Sequence, residues 1–233
     1  MTDETANLTG ISGEAARAPG LPGTALAAAL ATLVLAAAGW IVLAWRMTGM
    51  NMGVATRLGS LAFFAAAWVA MMAAMMLPGA APAVARAARA GGARAVPLFA
   101  GSYLAVWVLA GAVVFAIYRP HGPAVAGAVT IAAGLYEFTP LKRQFRRRCH
   151  ESDRSGFGFG LCCLGATVGL MAMQVALGVM SIGWMALVAI LVTAQKILPP
   201  RAVLDVTIAL VIVVFGIVII ADPSSVPGLI PHM

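Results

Sequence analysis

Residues 58–78 read L-G-S-L-A-F-F-A-A-A-W-V-A-M-M-A-A-M-M-L-P. The stretch carries no charged side chain and is long enough, as a helix, to cross a hydrocarbon core of about 30 Å. It ends on Pro78, which predicts the end of the span. Met71, Met72, Met75 and Met76 crowd its last turns. Positions four apart share a helix face, so Met71 stacks under Met75 and Met72 under Met76. Thioethers are soft ligands that favour Cu(I). They are also flexible, polarizable fillers of irregular apolar gaps. Read by itself, the stretch leaves packing and metal binding both open.

Composition extends this reading to the whole chain. Of 233 residues, 62% are hydrophobic and 10% charged, and the mean hydropathy is +0.96. Soluble domains carry about 25% charged residues. The apolar runs recur from one end to the other, and only helices satisfy the backbone of such runs in lipid. The predicted class is an all-α, polytopic membrane bundle of about seven helices. The pI of about 10.2 comes from Arg-rich loops, which in a membrane protein set topology.

Outward from the opening stretch, residues 1–22 form an acidic, polar tail, expected to be disordered and cytoplasmic. Residues 23–222 form one transmembrane domain, with spans at about 23–45, 58–77, 96–118, 124–138 and 202–221. Residues 160–198 are apolar over 39 positions, enough for two spans turning near Gly178, Ser181 and Gly183, or for a re-entrant pair. Residues 78–95 read as a basic loop, or one that is part helical, and residues 141–155 as a second basic segment. Lys196 is expected to snorkel to the headgroups. Residues 223–233 form a short outer tail.

Loop charge alternates. The loops after spans two, four and six carry three, six and two Lys/Arg, and those after spans one, three and five carry two, one and none. The positive-inside rule then places the N-terminus in the cytoplasm and the C-terminus outside, in a bacterial cytoplasmic membrane.

Three segments carry a family resemblance. They are W-V-A-M-M-A-A-M-M-L-P at 68–78, A-G-L-Y-E-F-T-P-L-K at 133–142, and C-L-G-A-T-V-G-L-M at 163–171, continuing into G-V-M at 178–180. In this order they resemble a bacterial family of integral membrane proteins of unknown function to which metal binding is ascribed. The family typically has Gln where this chain has Glu137. It has cysteines at the positions of Phe145, Ala166 and Thr167, while Cys149 and Cys163 match family cysteines. The resemblance implies a divergent member that keeps the methionines and part of the thiol set.

The candidate metal ligands are Met71, Met72, Met75, Met76, Met171 and Cys163, with copper as the implied metal and no other cofactor. Cys149 and Cys163 form a possible soft point of uptake, against the alternative of small buried or loop thiols. Glu137 is read as the only acidic residue at the edge of an apolar span. It forms an interfacial pair with Lys142 or Arg143, or else a proton or cation relay. Gln174 is expected to bond across helices. His121 and His150 are expected on opposite sides, so no haem has a histidine pair.

The sequence shows no nucleotide-phosphate loop, zinc-protease helix or nucleophile elbow, and the reading is not an enzyme. The basic segments suit anionic headgroups rather than nucleic acid. Three functions stay open. One is a protein that binds, delivers or transports copper, in the service of a partner membrane enzyme. Another is an accessory subunit, or a homo-oligomer, with methionines as packing. The third is a small-solute or ion transporter lined by Glu137 and Gln174.

Overall fold

The computed structural model describes residues 22–47, 58–151, 155–178, 181–197, 202–226 and 229. Of the disordered tail expected at 1–22, all but Pro22 lies outside these, as do most of the outer tail and the side chains of His150, Met180 and His232. The described residues are mostly helical, with no strand among them. The helices are α1 (Pro22–Met47), α2 (Leu61–Gly91), α3 (Ala95–Ile117), α4 (Pro123–Glu137), α5 (Pro140–Glu151), α6 (Gly156–Gly178), α7 (Ile182–Ile197) and α8 (Ala202–Ala221).

Helix α2 corrects the opening expectation. It starts at an N-cap, where Ser60 Oγ accepts from Phe63 N. It then runs through both Pro78 and Pro82 to Gly91. Each proline removes a backbone hydrogen bond, which a packed apolar bundle tolerates. The alanine-rich segment that follows has the best intrinsic helix propensity and carries the helix on. The basic stretch 78–95 is therefore mostly the last turns of α2. Only Gly92, at φ +71°, breaks it.

The second basic stretch is also a helix. The break at Thr139-Pro140 turns α5 by 66° from α4. Lys142 and Arg146 face the protein and are buried, while Arg143, Arg147 and Arg148 are exposed. The spacing of four places the first two on one face.

Helix α1 packs on α2, and α2 on α3 and α7. Helix α6 sits among α3, α4, α5 and α7, and α4 pairs closely with α8. The turn between α6 and α7 uses Gly178 at φ +134°, a conformation glycine adopts without strain. The expected turn near Gly178 and Ser181 falls there.

Four helices are long and apolar enough to cross a membrane, or five if α4 and α5 form one bent span. The other apolar stretches, Ile182–Lys196 and Asp205–Ala221, are shorter. The seven expected apolar segments are all helices, but α4, at 15 residues, reaches only about 22 Å at 1.5 Å per residue. Large apolar side chains cover the outer faces, with Ile41, Leu98 and Ile117 each at least 70% exposed. Contiguous apolar surface of this kind suits lipid rather than water.

Candidate functional site

Polar and sulfur-bearing side chains gather where the ends of α2 and α7 meet α5 and the start of α6. Two buried ion pairs lie here. Glu137, at the end of α4, pairs with Lys142 of α5. Gln195 of α7 joins them, donating from Nε2 to Glu137 Oε2 at 2.9 Å and accepting from Lys142 Nζ at 3.0 Å. One turn along α5, Arg146 donates to Asp205 Oδ1 of α8 and to the Gln195 backbone carbonyl, both at 2.6 Å. Gln195 thus ties both pairs to α7. Glu137 Oε1 is buried with no hydrogen-bond partner among the described residues.

Beside this network lies a cavity of about 100 Å³, lined by Gly79, Arg146, Cys149, Cys163, Gln195 and Lys196 among others. Lys196 does not reach the headgroups as expected. It turns inward, because Gly79 leaves room for its methylene chain: a Cβ added at Gly79 would collide with Lys196 Cδ. Its ammonium rests 3.7 Å from Met76 Sδ and 3.4 Å from the Tyr103 hydroxyl, and 5.9 Å from the centre of the Tyr103 ring. Tyr103 is fully buried. Its hydroxyl lies 3.4 Å from Cys163 Sγ and donates to the Met76 backbone carbonyl at 3.4 Å. All three cysteines are free thiols.

Met71, Met72, Met75 and Met76 are all buried, at 2% exposure or less. Met72 is one turn of α2 from Met76 on the same face. Met171 is elsewhere. It is eight residues beyond Cys163 on α6, about 12 Å along the axis. It lines a second cavity of about 530 Å³ with Trp68, Trp107 and His121. His121 Nε2 is 2.9 Å from the Ala176 carbonyl and Nδ1 is 3.0 Å from that of Arg119.

A family model described as PpoB2, copper chaperone, matches residues 65–219, more than half of the chain. The chain belongs to the PpoB2 copper chaperone family. The matched region contains the sulfur cluster, both ion pairs and both cavities. No curated protein and no solved structure matches the chain.

Copper handling is thus the family's chemistry, and soft donors suit it in the cuprous state. The fold brings Cys163 and Cys149 to one cavity, sets Met76 Sδ against the Lys196 that lines it, and leaves Met171 in another. Among the described residues, no group of three or more His, Cys, Asp and Glu side chains is arranged to hold a metal ion. Arg143 is exposed and outside the network, and Lys142 alone of the two basic candidates meets Glu137. Gln174 donates to the Gly178 carbonyl of its own helix at 3.2 Å rather than across helices.

Asp205, Gln195, Tyr103 and the inward Lys196 did not emerge from the sequence. Asp205 also sits at the edge of an apolar segment, so Glu137 is not alone in that position. The signal for Arg146 and Asp205 was the i, i+4 spacing of Lys142 and Arg146 beside two buried carboxylates. Tyr103 left no such signal, since a lone tyrosine in an apolar span reads as packing.

Proposed function

We propose that this protein binds Cu(I) within its helical bundle and passes it to a partner protein in the same membrane. Met76 Sδ, Cys163 Sγ and Cys149 Sγ are the donors. The observation that carries this reading is that Cys149 and Cys163 line one cavity, with Met76 Sδ against its Lys196 wall, in a member of a copper chaperone family. Sulfur donors suit Cu(I), which needs few ligands and tolerates thioethers. Each thiol that ligates releases its proton, so Cys–SH and Cu(I) give Cys–S–Cu(I) and H⁺, with no electron transferred.

Met72, Met71 and Met75 continue from Met76 along α2 as a ladder of thioethers, so copper can step between equivalent weak donors. The protein acts as a carrier, not an enzyme. The basic end faces the cytoplasm of a bacterial cell, which places the site near the inner membrane surface. The ion pairs Glu137–Lys142 and Arg146–Asp205 fix α4, α5, α7 and α8 around the cavity rather than relaying protons, since each carboxylate is held by a buried cation.

The test is the copper bound per chain after Cu(I) loading of detergent-purified protein under reducing conditions. The double variant Met76→Leu/Cys163→Ser should elute as the parent does and lose most of its copper. Met71→Leu/Met72→Leu/Met75→Leu should keep bound copper and lose transfer to an acceptor. Full copper retention in the double variant rejects this ligand set.

A further inference from the structure

Three cations line this pocket, Arg86, Arg146 and Lys196, and the surroundings of Lys196 are unusual for a lysine. Among the described residues, no carboxylate pairs with Lys196. The two buried carboxylates nearby, Glu137 and Asp205, are taken by Lys142 and Arg146. The ammonium of the half-buried Lys196 instead meets the Met76 thioether and the hydroxyl and ring of Tyr103. A hard, strongly hydrated ammonium gains little from a thioether. A soft monovalent cation gains much more from the same atoms and from the Cys163 thiol behind Tyr103.

We propose that the Lys196 ammonium occupies the Cu(I) position, and that copper binds by displacing it. This rests on the copper reading above and adds a device to it. With Lys196 in place, the pocket is held open and Met76 Sδ faces the ammonium. When Cu(I) enters, the flexible lysine stem swings out along the groove beside Gly79, and the ammonium moves to the solvent or headgroup side. When a partner draws the metal away, the ammonium returns. Lys196 therefore competes with the cargo, lowers its affinity and makes release possible. Arg146 lines the cavity too, but its guanidinium is fixed on Asp205 and the Gln195 carbonyl. Arg86 lines the cavity as well, but Lys196 is the cation whose ammonium rests on the Met76 sulfur.

The chain has only two lysines, Lys142 and Lys196, so displacement can be read directly. Full-length protein in detergent would be treated with an amine-acylating reagent, with and without Cu(I), and each lysine's labelling measured by mass spectrometry. Cu(I) should raise labelling of Lys196 severalfold and leave Lys142 unchanged. In parallel, Cu(I) would be titrated against a colorimetric Cu(I) chelator for the parent, Lys196→Leu, Lys196→Gln and Lys196→Arg. Removing a like charge next to the metal should tighten binding by about ten- to a hundredfold in the Leu and Gln variants. The Arg variant should bind as weakly as the parent or more weakly. If the parent binds Cu(I) but the neutral variants bind no tighter and Lys196 labelling does not rise, the displacement proposal is overturned and the copper site stands. If neither the folded parent nor the folded variants bind Cu(I), the sulfur site and the proposal both fail. The labelling arm needs no substitution, so it decides the matter even if a variant does not fold.

Discussion

Arg146 and Asp205 meet inside the protein at 2.6 Å, joining α5 to α8 across 59 residues of sequence. Removing one member of a buried pair leaves an uncompensated charge, at a cost of about 3–5 kcal/mol. Asp205→Ala should therefore lower the thermal unfolding midpoint of the purified protein sharply, while Arg146→Met/Asp205→Leu should recover much of the loss. Equal midpoints for Asp205→Ala and the parent would show that the pair does not hold α8 in place.

Glu137 follows the same logic with a different consequence. Family resemblance suggests that Gln is acceptable at this position, but here Lys142 is 2% exposed and depends on the carboxylate. Glu137→Gln should destabilise the fold by several kcal/mol, and adding Lys142→Met should restore most of it. A double-mutant cycle by thermal unfolding measures the coupling. A relay would behave differently: stability would be unchanged and copper transfer would fall.

Gly79 is constrained by Lys196 rather than by its own backbone. The added methyl of Gly79→Ala meets Lys196 Cδ, a mobile part of a flexible chain. The lysine should move and the helix should stay, so the cost in stability should be under about 1.5 kcal/mol. Because the ammonium is then pushed from Met76, Cu(I) affinity in chelator competition should rise towards that of Lys196→Leu. A weaker affinity would mean that the lysine supports the metal rather than excluding it.

Orientation is testable in cells. In a background without native cysteines, Ala90→Cys and Arg147→Cys lie at the basic end, which the positive-inside rule assigns to the cytoplasm. Both residues are exposed. They should resist an impermeant thiol reagent added outside and react after permeabilisation. Labelling in intact cells would reverse the orientation and put the sulfur pocket on the outer side.

The helical class was legible from residues 58–78 and from composition, because uninterrupted apolar runs admit no other structure in lipid. Helix ends were less so. Pro78 reads as a stop, but the alanines beyond it and the neighbours packed around α2 outweigh one missing hydrogen bond. The basic run at 141–155 reads as a loop because its charges were counted rather than placed on a helix. The same residues split into a buried face with Lys142 and Arg146 and an exposed face with Arg143 and Arg147. For the site, the sequence indicated which atoms are soft but not which are close. Met171 and Met76 look alike on paper, yet Met171 lines the larger cavity while Met76 meets Lys196. Lys196 looks like a headgroup anchor, and only the missing side chain at Gly79 lets it turn inward.

The most direct test of the account is X-ray absorption at the copper edge of Cu(I)-loaded protein, recorded for the parent and for Met76→Leu. The account predicts cuprous copper with sulfur neighbours only, and loss of one sulfur or of the metal itself in Met76→Leu. Nitrogen or oxygen neighbours in the parent, or an identical spectrum and copper content in Met76→Leu, would contradict it.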